Sequence, residues 1–101
     1  MGYFRKGIKI DGIITSSDRA AFGAVKALGR LGYYVPEDVR LISFDNSPYS
    51  LMASPSITSI DRNGALIAQK ALETLRCLLE GNKPTEETVI PVSLVKNDST
   101  R

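Results

Sequence analysis

The sequence predicts an α/β fold built on a partial, doubly wound parallel sheet, and three observations carry that prediction. Short β-branched runs alternate with two long amphipathic segments, in the order strand, helix, strand, short helical turn, strand, helix, strand. The run Val39–Asn46, Val-Arg-Leu-Ile-Ser-Phe-Asp-Asn, passes from an apolar stretch straight to a carboxylate and an amide, as a buried strand with a polar tip would. Three polar pairs, Ser17 with Asp18, Asp45 with Asn46 and Asp61 with Arg62, each close an apolar run, where ligands of open α/β sheets collect.

Met1–Gly7 reads as the end of a helix stopped by Gly7, and Ile8–Thr15 as a short strand carrying Ile10, Ile13 and Ile14. Ser16, Ser17 and Asp18 supply N-cap chemistry for a helix reaching about Leu31. In it Ala21, Ala24, Val25, Leu28 and Leu31 recur at the three- and four-residue spacing of one buried face; Gly32 stops it and Pro36 prevents a restart. Val39–Asn46 follows as the central strand, with Leu41, Ile42 and Phe44 expected to be covered on both faces. Ser47 and Pro48 are the N-cap and first residue of a single helical turn to Ala53, closed by Pro55. Ile57–Ile60 is a third short strand. Asn63–Glu80 is the strongest helix, with Ala68, Ala71, Leu72, Leu75, Leu78 and Leu79 on its buried face and Gly81 as its stop. Leu66 and Cys77 lie on the opposite side, so something outside this chain is expected to cover them. Thr88–Val95 is the last strand, confined to an edge or bend by Pro91, and Asn97–Arg101 reads as a polar tail.

Composition removes several function classes. With 101 residues the chain has room for one domain, and a net charge of +2 spread over scattered Lys and Arg argues against a nucleic-acid surface; the Arg5, Lys6, Lys9 group reads as a solvated helix end. The absence of histidine excludes His-dependent triads and His metal sites. The single Cys77 cannot form an intrachain disulfide, which fits a reducing cytoplasm. No apolar run approaches the roughly 18 residues of a membrane span, and Met1–Ile10 lacks the apolar middle of a signal peptide, so a soluble cytoplasmic chain without membrane contact is expected. No paired carboxylates precede Asp18 and no Gly-rich phosphate loop is present, which argues against a phosphoacceptor or an enzyme. No catalytic residue, metal ligand or cofactor is predicted.

Asp11-Gly-Ile-Ile-Thr-Ser-Ser-Asp18, Ala20-Ala-Phe-Gly-Ala-Val-Lys-Ala-Leu28, Gly32, Val35-Pro-Glu-Asp-Val39, Ile42-Ser-Phe-Asp-Asn46, Ile57-Thr-Ser-Ile60 and Ile90-Pro-Val-Ser-Leu-Val-Lys96, in that order, closely resemble the lactose/galactose repressor (LacI/GalR) family of bacterial transcription regulators. The resemblance runs from about Ile10 to the C-terminus. It implies a type I periplasmic-binding-protein-like fold, of which residues 1–101 would be a fragment mostly of the C-terminal lobe, without the family's helix-turn-helix. DNA would then be met only through that absent N-terminal domain. The long helix would cross into the other lobe, which accounts for Leu66 and Cys77, and the last strand would return. Only half of an effector cleft is expected here, so effector binding by this chain alone should be weak or absent.

Candidate effector contacts are Ser17, Asp18, Asp45, Asn46 and Arg62, a set of acceptors, one amide and one cationic fork suited to a neutral polyhydroxylated or heterocyclic effector, a sugar or nucleobase-like molecule. The resemblance makes Asp45 a recurring effector contact; Ser17 stands where the family often has Asn, and Arg62 where some members touch effector. Each has a structural alternative: N-cap for Ser17, helix-dipole partner for Asp18, cap of the following turn for Asp45 and Asn46, and an ion pair with Asp61 or a neighbouring carboxylate for Arg62. Phe22 lies on the polar flank of its helix beside Arg19, Lys26 and Gly29. It is either one tolerated exposed aromatic or, pocketed against Gly29, the anchor of a homodimer that also uses Lys26, Tyr49, Leu51 and Met52. Two functions fit: the effector-binding and dimerisation part of a ligand-responsive regulator, or part of a periplasmic sugar-binding receptor of the same fold.

Overall fold

The computed structural model describes residues 9–84 and 86–101. The expected helix end at Met1–Gly7, with Arg5 and Lys6, lies outside the described residues. Four strands, β1 (Gly12–Ile14), β2 (Arg40–Phe44), β3 (Thr58–Asp61) and β4 (Ser93–Val95), form one sheet in the order β1-β2-β3-β4. The first three are parallel, with Gly12 opposite Arg40, Ile42 opposite Thr58 and Ser43 opposite Ser59. The fourth departs from the expected parallel pattern. It runs antiparallel to β3, pairing Asp61 with Ser93 and Ser59 with Val95, because the chain re-enters the sheet at the end where β3 leaves it. It is also shorter than the expected Thr88–Val95 strand: Pro91 lacks a ladder donor, and Val89 and Val92 stay exposed.

Helix α1 (Asp18–Arg30) covers one face of the sheet. Ser17, in extended backbone, accepts the Ala20 N–H at 3.2 Å, and Gly32 at φ +84° takes the left-handed conformation that ends the helix. Ala21 and Leu28 are fully buried against Val35, Val39, Leu41, Ala53 and Ile57, with Ile13, Phe22, Ala24, Val25 and Tyr33 packed around them. Within β2 the side chains alternate: Leu41 and Ser43 are buried, whereas Ile42 and Phe44 are only half-buried. The expected two-sided cover of β2 is therefore one-sided among the described residues, and Ile14 on β1 is 74% exposed for the same reason. Helix α2 (Pro48–Met52) has Ser47 as its positional N-cap, but the Ser47 side chain makes no capping bond.

Helix α3 (Gly64–Leu79) inverts the expectation for its faces. No residue in it is buried; Leu72 is 67% and Leu79 79% exposed, while Leu66 and Cys77, on the side expected to be covered from outside this chain, are half-buried. The periodicity marked a real apolar stripe, but the described residues supply nothing to cover it. The helix stands away from the sheet, giving a radius of gyration of 18.2 Å where a compact chain of this length would have about 13 Å.

The expected polar tail is instead docked. A 3₁₀ helix, Asp98–Thr100, lies against the N-terminal ends of β2 and β3, and Ser99 is fully buried. The Ser99 hydroxyl donates to the Leu41 carbonyl at 2.6 Å and accepts the Thr58 N–H at 2.8 Å, while its own N–H reaches the Ser56 carbonyl at 2.9 Å. Asn97 adds a side-chain bond to the Ile57 carbonyl at 2.7 Å. One hydroxyl thus joins two strands at a point their ladder does not reach. Ser99→Ala leaves a buried carbonyl and a buried N–H unpaired, and is expected to lower stability by about 2 kcal/mol in urea denaturation.

Candidate functional site

Parallel pairing of β1, β2 and β3 brings their carboxyl ends to one edge of the sheet, and with them Ser16 to Asp18, Asp45, Asn46, Asp61 and Arg62. All five residues predicted as effector contacts lie along this edge, but they divide into two kinds.

Asp18 is the inward kind. It is 1% exposed and opens α1 with its carboxylate turned under the strand ends. One oxygen accepts the Ser59 hydroxyl at 2.7 Å and also the Ser43 hydroxyl; the other accepts the backbone N–H of Ser47. Burial pushes its pKa up, but the hydrogen bonds from Ser43, Ser59 and Ser47 outweigh that and hold the carboxyl below the usual aspartate range. With both oxygens engaged and no exposed surface to offer, Asp18 is not placed to touch an effector, and the expectation of a direct contact gives way to an internal one. Ser17 is half-buried, with its hydroxyl oxygen engaged in capping.

Asp45, Asn46 and Arg62 are the outward kind. Asp45 at φ +103° and Asn46 at φ +51° are successive non-glycine residues with positive φ, a conformation costing about 1–2 kcal/mol per residue that persists only where surroundings enforce it. Here three consecutive amides are held: Asp45 N–H by the Ile60 carbonyl at 2.9 Å, Asn46 N–H by the Ser59 hydroxyl at 2.8 Å, and Ser47 N–H by Asp18. The Asp45 carboxylate meets Arg62 at 3.5 Å, the carboxylate anticipated as Arg62's partner being Asp45 rather than Asp61. The guanidinium also lies 4.9 Å from the centre of the Phe44 ring and donates to the Ser16 carbonyl at 3.3 Å. Asn46 donates its side-chain amide to Asp61 at 3.4 Å. Since Asp45 and Arg62 are each about half exposed, their ion pair adds little stability; its effect is to fix an acceptor beside a donor at the rim.

Sequence reasoning missed Ser43, Ser59, Ser47, Ser16 and Phe44. A signal for the first two existed: each serine sits two residues before a strand-end carboxylate, and the strand register sets them opposite each other. Ser16 contributes a backbone carbonyl, for which a sequence has no sign. Among the described residues, hollows of about 530 and 480 Å³ lie along the uncovered helix α3. Among the described residues no group of three or more His, Cys, Asp or Glu is arranged to hold a metal.

The second predicted surface is also assembled. Phe22 meets Tyr49 edge to face with ring centres 6.2 Å apart, and the Lys26 ammonium lies 5.1 Å from the Phe22 ring centre. Leu51 and Met52 project into solvent beside them. A hollow of about 260 Å³ is lined by Phe22, Val25, Lys26, Met52, Ala53 and Ser54. The pocket expected from Gly29 is not what forms; a Cβ at Gly29 would meet nothing within 4 Å, and the Met52–Ser54 segment provides the wall instead.

Residues 5–100 match the family model of the periplasmic binding protein-like domain. A transcriptional regulator of the helix-turn-helix type from Lachnoclostridium phytofermentans is 29% identical over 96 residues, which are 95% of this chain and 29% of that protein. The lac repressor bound to ONPG in its repressed state superposes with a TM-score of 0.91 at 28% identity, over 99% of this chain and 30% of that one. The ribose operon repressor protein from Lactobacillus acidophilus superposes at 0.88 with 35% identity, over 99% of this chain and 38% of that one. The chain therefore spans about a third of the length of these relatives.

Proposed function

The chain belongs to the periplasmic binding protein-like domain family, among its LacI/GalR-type regulators, and from that premise we propose that it is the effector-binding and dimerisation part of a bacterial transcriptional regulator. The effector is a sugar or related neutral small molecule, and its binding controls DNA affinity in a helix-turn-helix outside these residues. One observation carries the reading: Asp45 and Arg62 converge at the carboxyl ends of β2 and β3, offering a carboxylate acceptor and a guanidinium donor within 3.5 Å of each other. That spacing suits two neighbouring hydroxyls of one sugar, one donating to Asp45 and the other accepting from Arg62. The mutual neutralisation of the pair favours an uncharged ligand over an anion.

A periplasmic receptor of the same fold would present a similar half-cleft. Relatives named as transcriptional regulators favour the cytoplasmic regulator. The coding sequence upstream of Met1 tests this: a helix-turn-helix in the same frame about 200 or more residues away supports the regulator, and a signal peptide there contradicts it. The uncovered leucine stripe of α3 fits a helix that packs within the second lobe of such a protein, the one that would close the cleft from the other side.

The Phe22, Lys26, Tyr49, Leu51 and Met52 surface is the homodimer contact in this reading. Met52→Glu places a charge in its hollow and should raise the dimer dissociation constant by about 100-fold in sedimentation equilibrium. An unchanged dissociation constant would move the contact elsewhere.

A further inference from the structure

We infer that Asp18 is the positioning residue of the candidate effector site, holding Asp45 and Asn46 in the positive-φ conformation that presents Asp45 to Arg62. The inference rests on the reading of Asp45 and Arg62 as effector contacts, and adds a residue that touches no ligand. Two of the three amides that fix the turn end on the Asp18 cluster. Ser47 N–H binds the carboxylate directly, and Asn46 N–H binds the Ser59 hydroxyl, whose own proton is committed to Asp18 at 2.7 Å. A hydroxyl that donates to a carboxylate has its lone pairs turned toward the incoming N–H, so the carboxylate sets the direction in which Ser59 can accept. The turn needs that external hold: Asp45 and Asn46 both have positive φ, neither is glycine, and the β2–β3 ladder ends with the bond from Asp45 N–H to the Ile60 carbonyl. Ser43, the third partner, ties the same carboxylate to β2 directly before the turn. Asp18 thereby joins the start of α1, β2, β3 and the turn at one buried point.

The test uses backbone NMR shifts and H–N–Hα couplings, which report φ in the folded state and are insensitive to a change in global stability alone. In Asp18→Asn, Asp45 and Asn46 are expected to lose the positive-φ signature and Ser47 to shift, while signals from the β2–β3 ladder stay in place. Ser59→Ala removes the acceptor of the Asn46 N–H together with one of the hydroxyls on Asp18, but leaves the bond from Ser47 N–H to the other carboxylate oxygen, so it should disturb Asn46 more than Ser47; it decides the matter alone if Asp18→Asn does not fold. Wild-type φ at Asp45 and Asn46 in the folded variants would overturn the inference. Titration of the intact gene product with D-ribose, D-galactose and their methyl glycosides separates the two readings. Where one binds, Asp18→Asn should weaken it by about tenfold without contacting it. If the turn moves but no sugar binds wild type, the positioning role stands and the effector reading falls.

Discussion

Replacing Asp18 with alanine should remove about 4 kcal/mol of folding stability, a large part of the roughly 5–15 kcal/mol that small domains possess. The carboxylate is buried and accepts three hydrogen bonds, from Ser43, Ser59 and Ser47. Alanine leaves two hydroxyls and an N–H facing a dry hollow, and the serines can redirect only in part. Urea denaturation at neutral pH measures the loss, and a loss under about 1 kcal/mol would mean that water replaces the carboxylate. The same bonds give a pH signature. Since the folded pKa lies below the unfolded value of about 3.9, the stabilisation is fully present above that value. It is lost as pH falls through the folded pKa. Thermal midpoints should therefore be flat with respect to this group from pH 8 to about 5 and fall in acid, with a shallower acid limb in Asp18→Asn.

How far the molecule could be read from its residues depended on how local the signal was. The apolar run ending in Asp45 and Asn46 placed β2 and its polar tip, because a strand buried on at least one face and ending at a ligand edge leaves that pattern in any α/β chain. The cap at Ser17 and the stop at Gly32 fixed α1 from backbone requirements alone. Direction and partnership were less legible. An antiparallel β4 differs from a parallel one only in where the connection returns, and residues 80–92 carry no residue type that states it. The stripe from Ala68 to Leu79 showed that α3 has an apolar face, but periodicity does not say whether the partner lies in the same stretch of chain. Asn97–Arg101 read as a tail because Ser, Thr, Asn and Asp are common in solvated ends. In the fold the same side chains are the donors and acceptors that strand ends lack, and Ser99 is buried for that reason.

The site was legible as a set of residues and not as a division of labour. Asp18, Asp45 and Arg62 were all picked out by their place after apolar runs, since strand ends meet at one edge whenever strands are parallel. What separates them is the register of Ser43 with Ser59, which builds a pocket of hydroxyl donors that draws one carboxylate inward and leaves the other at the rim. A wheel placed Phe22 on the flank of α1 without revealing that Tyr49 would meet it, because that contact depends on where the α2 turn folds back.

The central claim is that an uncharged sugar is recognised by Asp45 against Arg62. Isothermal titration of the intact gene product with pentoses, hexoses and their glycosides, wild type beside Asp45→Ala, tests it most directly. Loss of a charged acceptor from a paired sugar hydroxyl is worth about 2–3 kcal/mol, so the variant should bind about 100-fold more weakly while its melting temperature changes little. A sugar that binds both proteins equally, or a wild type that binds none of them, would contradict the account.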